Sequence, residues 1–155
     1  MGDIPLHAAI VHIPLGIAVA MPLVAIGLAV ALARGLVDKR AWAVVVALQA
    51  LVVLGGFAAM NTGETEEATV KRVVDKRFIH EHEERAEAFV YAAGVTLVLA
   101  ASALVAGPRR IAMVAGVTAI GTVVSLALAV RTGEAGGELV FKHGAASAYA
   151  TPKTE

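Results

Sequence analysis

Four long stretches almost free of charge constrain this chain most strongly, because each can cross a bilayer as a helix. Two of them run for 20 residues without a charged side chain, which is about 30 Å of helix. Apolar residues make up 58% of the chain and charged residues 17%, against roughly 45–50% and 25% in soluble domains. The sequence therefore predicts an all-α membrane protein with four transmembrane helices in a four-helix bundle. The stretches are Ile4–Ala33, Ala41–Met60, Ala86–Ala106 and Ile111–Val130.

The second half of the chain repeats the first at an offset of 70 residues. His12 maps onto His82, the basic pair Lys39-Arg40 maps onto a second basic pair, and a Thr-Gly-Glu tripeptide recurs. We therefore predict two tandem pseudo-symmetric hairpins within one integral membrane domain, residues 1–155. The first hairpin repeat covers residues 1–64 and the second 71–134, with a C-terminal loop and tail over 135–155. The recurring elements are Lys39-Arg40 with Arg109-Arg110, and Thr62-Gly63-Glu64 with Thr132-Gly133-Glu134.

A charged segment separates the two hairpins. Its apolar residues Val70, Val73, Val74 and Phe78 recur at helical spacing, and the same stripe continues to His82. We therefore expect a charged helical extension before the third membrane helix. Glycine at each Thr-Gly-Glu element is expected to end a helix where it leaves the membrane.

The charge distribution predicts an orientation. The two short turns between paired helices hold five basic residues and one acid, whereas the rest of the chain holds eight basic and twelve acidic residues. Short basic loops favour the cytoplasm, which places both termini and all five histidines on the outer side. The expected partner is membrane lipid, with no nucleic acid. The turn residues are Arg34, Asp38, Lys39, Arg40, Arg109 and Arg110.

The repeated histidines are the strongest candidate site. A parallel repeat relates the hairpins by an axis along the membrane normal, which would set His12 and His82 opposite each other in the bundle interior. The chain has no cysteine, so thiolate ligation is excluded and histidine is the main soft-metal ligand. This pattern predicts a b-type haem with His12 and His82 as axial ligands to the iron. Two axial histidines favour electron transfer, so a hydrolase or transferase is not expected.

Other residues support the predicted haem site. The small residues Gly16 and Ala86 stand four positions after the two histidines and would leave room for a flat macrocycle. Pro14 removes a backbone donor near His12 and disturbs the helix there. His7 and His143 form a second candidate pair, either for a second haem or for ligation at the rim. Candidate partners for haem propionates are Arg77, Arg85 and Arg131.

Several alternatives stay open at this point. His12 can instead satisfy a helix–helix hydrogen bond, and His80 can replace His82 if the third helix begins with a different rotation. The histidines could serve a non-redox transporter or proton relay. His7, His12, His82 and His143 could also hold copper or zinc on the outer side. A structural subunit or homodimer could pack through Gly116 and Gly121.

The residues also resemble a known family. Leu6–Leu15 resembles the H-P-x-x-V-H-F-P-I opening of the DUF2231-type small bacterial predicted membrane proteins, with Ala8 in place of a common proline and Ile13 in place of an aromatic residue. Gly136–Gly144 resembles the family ending G-G-x-L-V-[YF]-x-H-G, and the His-Glu pair at His82 is similar to one before its third helix. The resemblance spans essentially the whole chain. Some relatives carry Rieske-type domains, which implies electron transfer in a bacterial cytoplasmic (inner) membrane, with quinone or a periplasmic redox protein as partner.

Overall fold

The structure is a computed structural model that describes residues 5–150. Within this range the chain is helical and contains no strand. Ile4 of the first predicted span and residues 151–155 of the predicted tail lie outside the described residues. The helices are α1 Leu6–Ile10, α2 His12–Ala33, α3 Ala43–Val70, α4 Lys76–Val105 and α5 Ile111–Phe141, with short 3₁₀ turns at Lys39–Trp42 and Ala145–Tyr149.

The long helices form a four-helix bundle. Each packs on its neighbour in the chain, and α5 closes the ring by packing on α2. Four spans are long and apolar enough to cross a membrane, which confirms the predicted fold class. The up-and-down order gives the bundle two unlike ends. The histidine end holds α1, the end of α3, the start of α4 and the end of α5; the basic end holds the turns at 34–42 and 106–110.

The bundle is packed with small residues inside and large apolar residues outside. Ala25, Ala93 and Ala100 are completely buried, whereas Leu23 is 78% exposed and Val98 69% exposed. Small side chains let helices approach closely when lipid removes the usual hydrophobic drive for their association. The exposed apolar side chains are therefore the lipid-facing surface of the bundle.

Polar side chains join helices inside this apolar bundle. The Trp42 indole N–H donates to the Ala100 carbonyl at 3.0 Å, and the Gln49 amide donates to the Ala93 carbonyl at 3.0 Å. Both bonds tie the start or middle of α3 to α4. Interhelical hydrogen bonds in membranes are each worth about 1 kcal/mol, so they fix register more than they supply stability.

Two helices run further than the sequence predicts. α3 continues through Gly63 to Val70, and α5 continues through Gly133 and the Gly136-Gly137 pair to Phe141. The predicted helix ends at the Thr-Gly-Glu elements, and the predicted loop over Gly136–Phe141, are therefore wrong. Glycine in a helix costs only about 1 kcal/mol, and packing of neighbouring side chains against the helix offsets that cost.

The charged extension before the third membrane helix is present and begins at Lys76. Asp75 starts it, because the Asp75 carboxylate accepts a hydrogen bond from the Arg77 backbone N–H at 2.8 Å. Val70 closes α3 and Val73 lies in the turn. The sequence predicts helical spacing from Val70 onward, but the helix that carries the charged extension begins only at Lys76.

Candidate functional site

The opening of the chain carries two histidines on different faces. His7 and His12 are five residues apart, about 140° around a helix axis, and the helical conformation continues between them, because the Val11 N–H bonds to the His7 carbonyl at 3.1 Å. Pro14, which has no N–H to donate to the Ile10 carbonyl, is buried and packs close to Gly55. His12 and Gly16 lie exposed on α2. The prediction that His12 lies in the bundle interior opposite His82 is therefore wrong.

The His7 side chain packs against the C-terminal part of α3. The Nδ1 atom of His7 lies 2.8 Å from the Ala59 carbonyl oxygen and 3.5 Å from the Thr62 hydroxyl. Because a carbonyl only accepts, Nδ1 carries the proton and Nε2 is left as a free lone-pair nitrogen. The His7 backbone N–H donates to the Glu66 carboxylate at 3.1 Å. Gly63 leaves room for the ring, since a Cβ there would stand 3.2 Å from two imidazole atoms.

The end of α5 holds His82 in a similar way. A Cβ at Gly136 would stand 3.2 Å from the His82 Cε1 atom, so glycine lets the ring lie against the α5 backbone. The Thr132 hydroxyl bridges to the Arg85 carbonyl of α4 at 2.9 Å and to Leu128 of its own helix at 3.0 Å. His82 Nδ1 is buried without a hydrogen-bond partner in the described part of the chain. An uncompensated buried nitrogen of this kind is a candidate ligand atom.

The two imidazoles meet across the histidine end of the bundle. The ring centroids of His7 and His82 are 6.1 Å apart, and the ring planes are inclined by 85°. His7 comes from the opening of the first hairpin and His82 from the start of the second. The structure therefore brings together one histidine from each half of the chain, as predicted. The partner of His82 is His7, whereas the 70-residue register indicates His12.

The remaining histidines lie elsewhere. His143 stacks on Phe78 with ring centroids 3.6 Å apart, so it does not complete the predicted pair with His7. His80 is exposed beside Glu83 and Glu84, as expected for a solvent-facing residue. Within residues 5–150, no three His, Asp or Glu side chains are arranged to hold a metal ion. The predicted four-histidine copper or zinc site is therefore not formed there.

The predicted arginines and Ala86 lie on different sides of the histidine end. Arg85 lies one turn after His82, pairs with Glu81, and donates to the Arg131 carbonyl at 3.4 Å. Ala86 is half-buried on the same turn, whereas the side chain of Arg131 is exposed. Arg77 lies over the Phe78 ring, 4.7 Å from its centroid. Of the three arginines, Arg85 is thus nearest in the fold to the histidine pair.

The C-terminal segment folds back over the histidine end. The Tyr149 hydroxyl donates to the Glu66 carboxylate at 2.9 Å, and Ala145 packs with Val74 and Ile79. Burial and the hydrogen bond to Glu66 raise the pKa of Tyr149 to about 12. Because Glu66 also accepts from the His7 backbone, one carboxylate joins the C-terminal segment to the opening of the chain.

The sequence alone did not identify the residues that seat the two rings. Ala59, Thr62 and Gly63 surround His7, while Thr132 and Gly136 lie beside His82 or its helix. The available signal was the repeated Thr-Gly pair, which on the sequence alone indicates helix termination. Thr62 and Gly63 instead lie beside His7 and Thr132 bonds to the helix of His82, whereas a Cβ at Gly133 would meet nothing within 4 Å.

Comparison with known proteins gives one result about the family. A family model described as "Predicted membrane protein (DUF2231)" matches residues 3–148. Neither the curated proteins nor the solved structures give a match. The match covers nearly all of the chain, including both candidate histidines and the C-terminal segment.

Proposed function

Because this chain belongs to the DUF2231 family of predicted membrane proteins, whose description assigns no activity, we propose a function from the histidine site: a b-type haem-binding membrane cytochrome. His7 and His82, in place of the expected His12–His82 pair, would hold the haem iron. The proposal places one haem at the histidine end, on the outer side of a bacterial cytoplasmic membrane. When bound, such a haem supplies one-electron transfer.

The spacing of the two imidazoles is the observation that supports this proposal. Two ring nitrogens that share one metal at about 2 Å each would set their ring centroids roughly 6 Å apart. The observed separation is 6.1 Å, with the two ring planes inclined by 85°. The donors also come from different halves of the chain, since His7 lies on α1, which packs on α3, and His82 lies on α4, which packs on α3 and α5.

The contacts around the rings also fit a pair of ligands. A metal-bound histidine usually donates its second ring N–H to a carbonyl or carboxylate, which fixes its tautomer and orientation. The His7 Nδ1–Ala59 contact has this form and leaves Nε2 for the metal. His82 contributes the buried Nδ1 that has no partner within residues 5–150. Gly63 and Gly136 let the two rings lie close to the backbones of α3 and α5, because a Cβ at either position would stand 3.2 Å from the ring.

The surrounding residues would position the group and set its environment. Arg85, one turn from His82, is the best placed of Arg77, Arg85 and Arg131 to pair with a propionate, because its guanidinium already reaches α5. The C-terminal segment joins the site through the contact of Tyr149 with Glu66. The hydrogen bond on His7 would help to tune the reduction potential of the haem. Quinone in the bilayer, or a periplasmic or Rieske-type redox protein, is the proposed electron partner.

The proposal is tested by absorbance of the purified protein, expressed with haem supplied, before and after dithionite. We expect a Soret band and sharp alpha and beta bands on reduction. His7→Ala and His82→Ala should each abolish the low-spin spectrum, whereas the control His12→Ala should keep it. A featureless wild-type spectrum, or loss of the spectrum in His12→Ala with retention in His7→Ala, would contradict the proposal.

A proton relay is the second candidate function, because two titratable side chains, Glu66 and Tyr149, are hydrogen-bonded beside His7 at the histidine end. Glu66 accepts hydrogen bonds from the His7 backbone and from Tyr149. Proton flux into vesicles holding the purified protein tests this candidate. Flux that falls in Glu66→Gln, from a protein that shows no haem spectrum, would favour the relay over the cytochrome.

A further inference from the structure

The basic end of the bundle carries a cluster of cations that the histidine site does not use. We call this cluster the basic face; its members are all exposed and come from the two short turns. They are Arg34, Lys39, Arg40, Arg109 and Arg110. Like charges held together repel one another, so nearby anions would stabilise such a cluster.

The protein supplies almost no anion there. Asp38 is the one acid in either turn, and its carboxylate accepts the Arg40 backbone N–H at 2.8 Å as the cap of the 3₁₀ turn. The Lys and Arg ion pairs with carboxylates within residues 5–150 all lie at the histidine end, away from the basic face. They are Lys71–Glu67, Arg85–Glu81 and Lys142–Glu138.

The two turns are held beside each other by a buried contact. Trp42, which ends the first basic turn, is completely buried and donates to the Ala100 carbonyl of α4. α4 ends one turn later, where Gly107-Pro108 begins the second basic turn. The cations are thus displayed on a fixed scaffold, although their own side chains are free to reach a partner.

Apolar residues adjoin the cations at this end. Leu36 is 71% exposed and Val105 85% exposed, and residues 107–110 line a shallow cleft that includes Arg109 and Arg110. A phospholipid matches this arrangement of cations beside apolar side chains, because its phosphate adjoins its acyl chains. Arginine binds phosphate through two parallel N–H groups, and basic residues at the membrane surface are attracted to anionic lipids.

We propose that the basic face binds the headgroups of anionic phospholipids and selects them over zwitterionic ones. The anionic lipid supplies the counter-charge that the protein lacks at this end. The proposal is independent of haem binding, since no member of the basic face lies near the histidine pair.

The chain offers a built-in probe, because Trp42 is its only tryptophan and lies at the basic face. The full-length protein is reconstituted in phosphatidylcholine vesicles with a trace of dansyl-labelled phosphatidylglycerol or dansyl-labelled phosphatidylcholine. Energy transfer from Trp42 to each label reports the lipid that surrounds the basic face. We expect preferential transfer to the anionic lipid, and a loss of that preference at high salt, which screens exposed charges.

A pair of triple variants locates the effect. Arg40→Gln with Arg109→Gln and Arg110→Gln should reduce the preference for anionic lipid by about tenfold or more, since each cation near the surface accounts for about a fivefold change. The control, Lys71→Gln with Arg72→Gln and Lys76→Gln, removes equal charge at the histidine end and should keep the preference. Equal transfer to both labels in the wild type, or equal effects of the two triple variants, would overturn the proposal.

Discussion

The imidazoles of His7 and His82 lie 6.1 Å apart at an angle of 85°, although 75 positions separate them in the chain. Neither ring is positioned by its own helix alone. Ala59 and Gly63 of α3 seat His7, and Gly136 of α5 seats His82. The position of each ring therefore depends on residues of a neighbouring helix, and mutation of those residues tests this dependence.

Alanine at Gly136 should displace the His82 ring. The added Cβ would stand 3.2 Å from Cε1, so either the ring or α5 must shift. In the haem-loaded protein we expect Gly136→Ala to weaken or lose the low-spin signal in electron paramagnetic resonance. Gly133→Ala is the matched control, because a Cβ there meets nothing within 4 Å. Equal signals in both variants would show that Gly136 does not seat the ligand.

Valine at Thr132 should loosen the start of α4. The Thr132 hydroxyl donates to the Arg85 carbonyl across the helix interface, and loss of such a bond costs about 1 kcal/mol. We expect a lower midpoint of thermal unfolding in detergent. Thr118→Val is the control, because that buried hydroxyl bonds only to Val114 within its own helix. An equal loss of stability in the control would contradict a specific role for the Thr132 bridge.

Alanine at Gly56 should destabilise the centre of the bundle. A Cβ at Gly56 would stand 2.7 Å from Val90 Cγ2, and Val90 is buried and β-branched, so it has little freedom to move. Overpacking of this kind costs about 1–3 kcal/mol. We expect Gly56→Ala to lower the unfolding midpoint, as measured by thermal or denaturant unfolding in detergent.

The control for that change is Gly27→Ala on α2. Gly27 is exposed, and a Cβ there meets nothing within 4 Å. Alanine has a higher helix propensity than glycine by about 1 kcal/mol, so this variant should be as stable as the wild type or more stable. If both variants lose stability equally, close packing at Gly56 is not the cause.

High pH should release the C-terminal segment from Glu66. The pKa of Tyr149 is raised from 10.0 to about 12, first by burial and then by its hydrogen bond to Glu66. A group whose pKa is raised in the folded state stabilises that state fully below the unfolded value, and the stabilisation is lost as pH rises through the folded value. The contact should therefore hold below about pH 10 and weaken between about pH 10 and 12.

This shift can be measured directly because the chain has two tyrosines. In a Tyr91→Phe background, the ultraviolet absorbance of tyrosinate reports Tyr149 alone. We expect a titration midpoint near 12, and a lower midpoint after Glu66→Gln, which removes the negative neighbour. A midpoint at the ordinary value of 10.0 in the parent protein would contradict the Tyr149–Glu66 contact.

The sequence predicted the architecture well and the site only in part. The four spans follow from long uncharged runs, and the charged extension of α4 follows from its helical spacing. The sequence did not indicate that His7, and not His12, meets His82, because both histidines lie in the same apolar segment. The 70-residue register favoured His12, but His7 and His12 lie about 140° apart around the helix axis, and His7 is the one that contacts α3 and meets His82.

Composition and charge by themselves determined that this chain is a four-helix membrane protein with one histidine-rich end and one basic end. Those properties depend on how many apolar residues lie in a row and where the charges interrupt them. Only the tertiary structure decided that His7 meets His82, that Gly63 and Gly136 seat them, and that both Thr-Gly pairs stay helical. Each of these outcomes depends on which residues of different helices lie at the same depth along the bundle axis. Packing between the helices determines that depth.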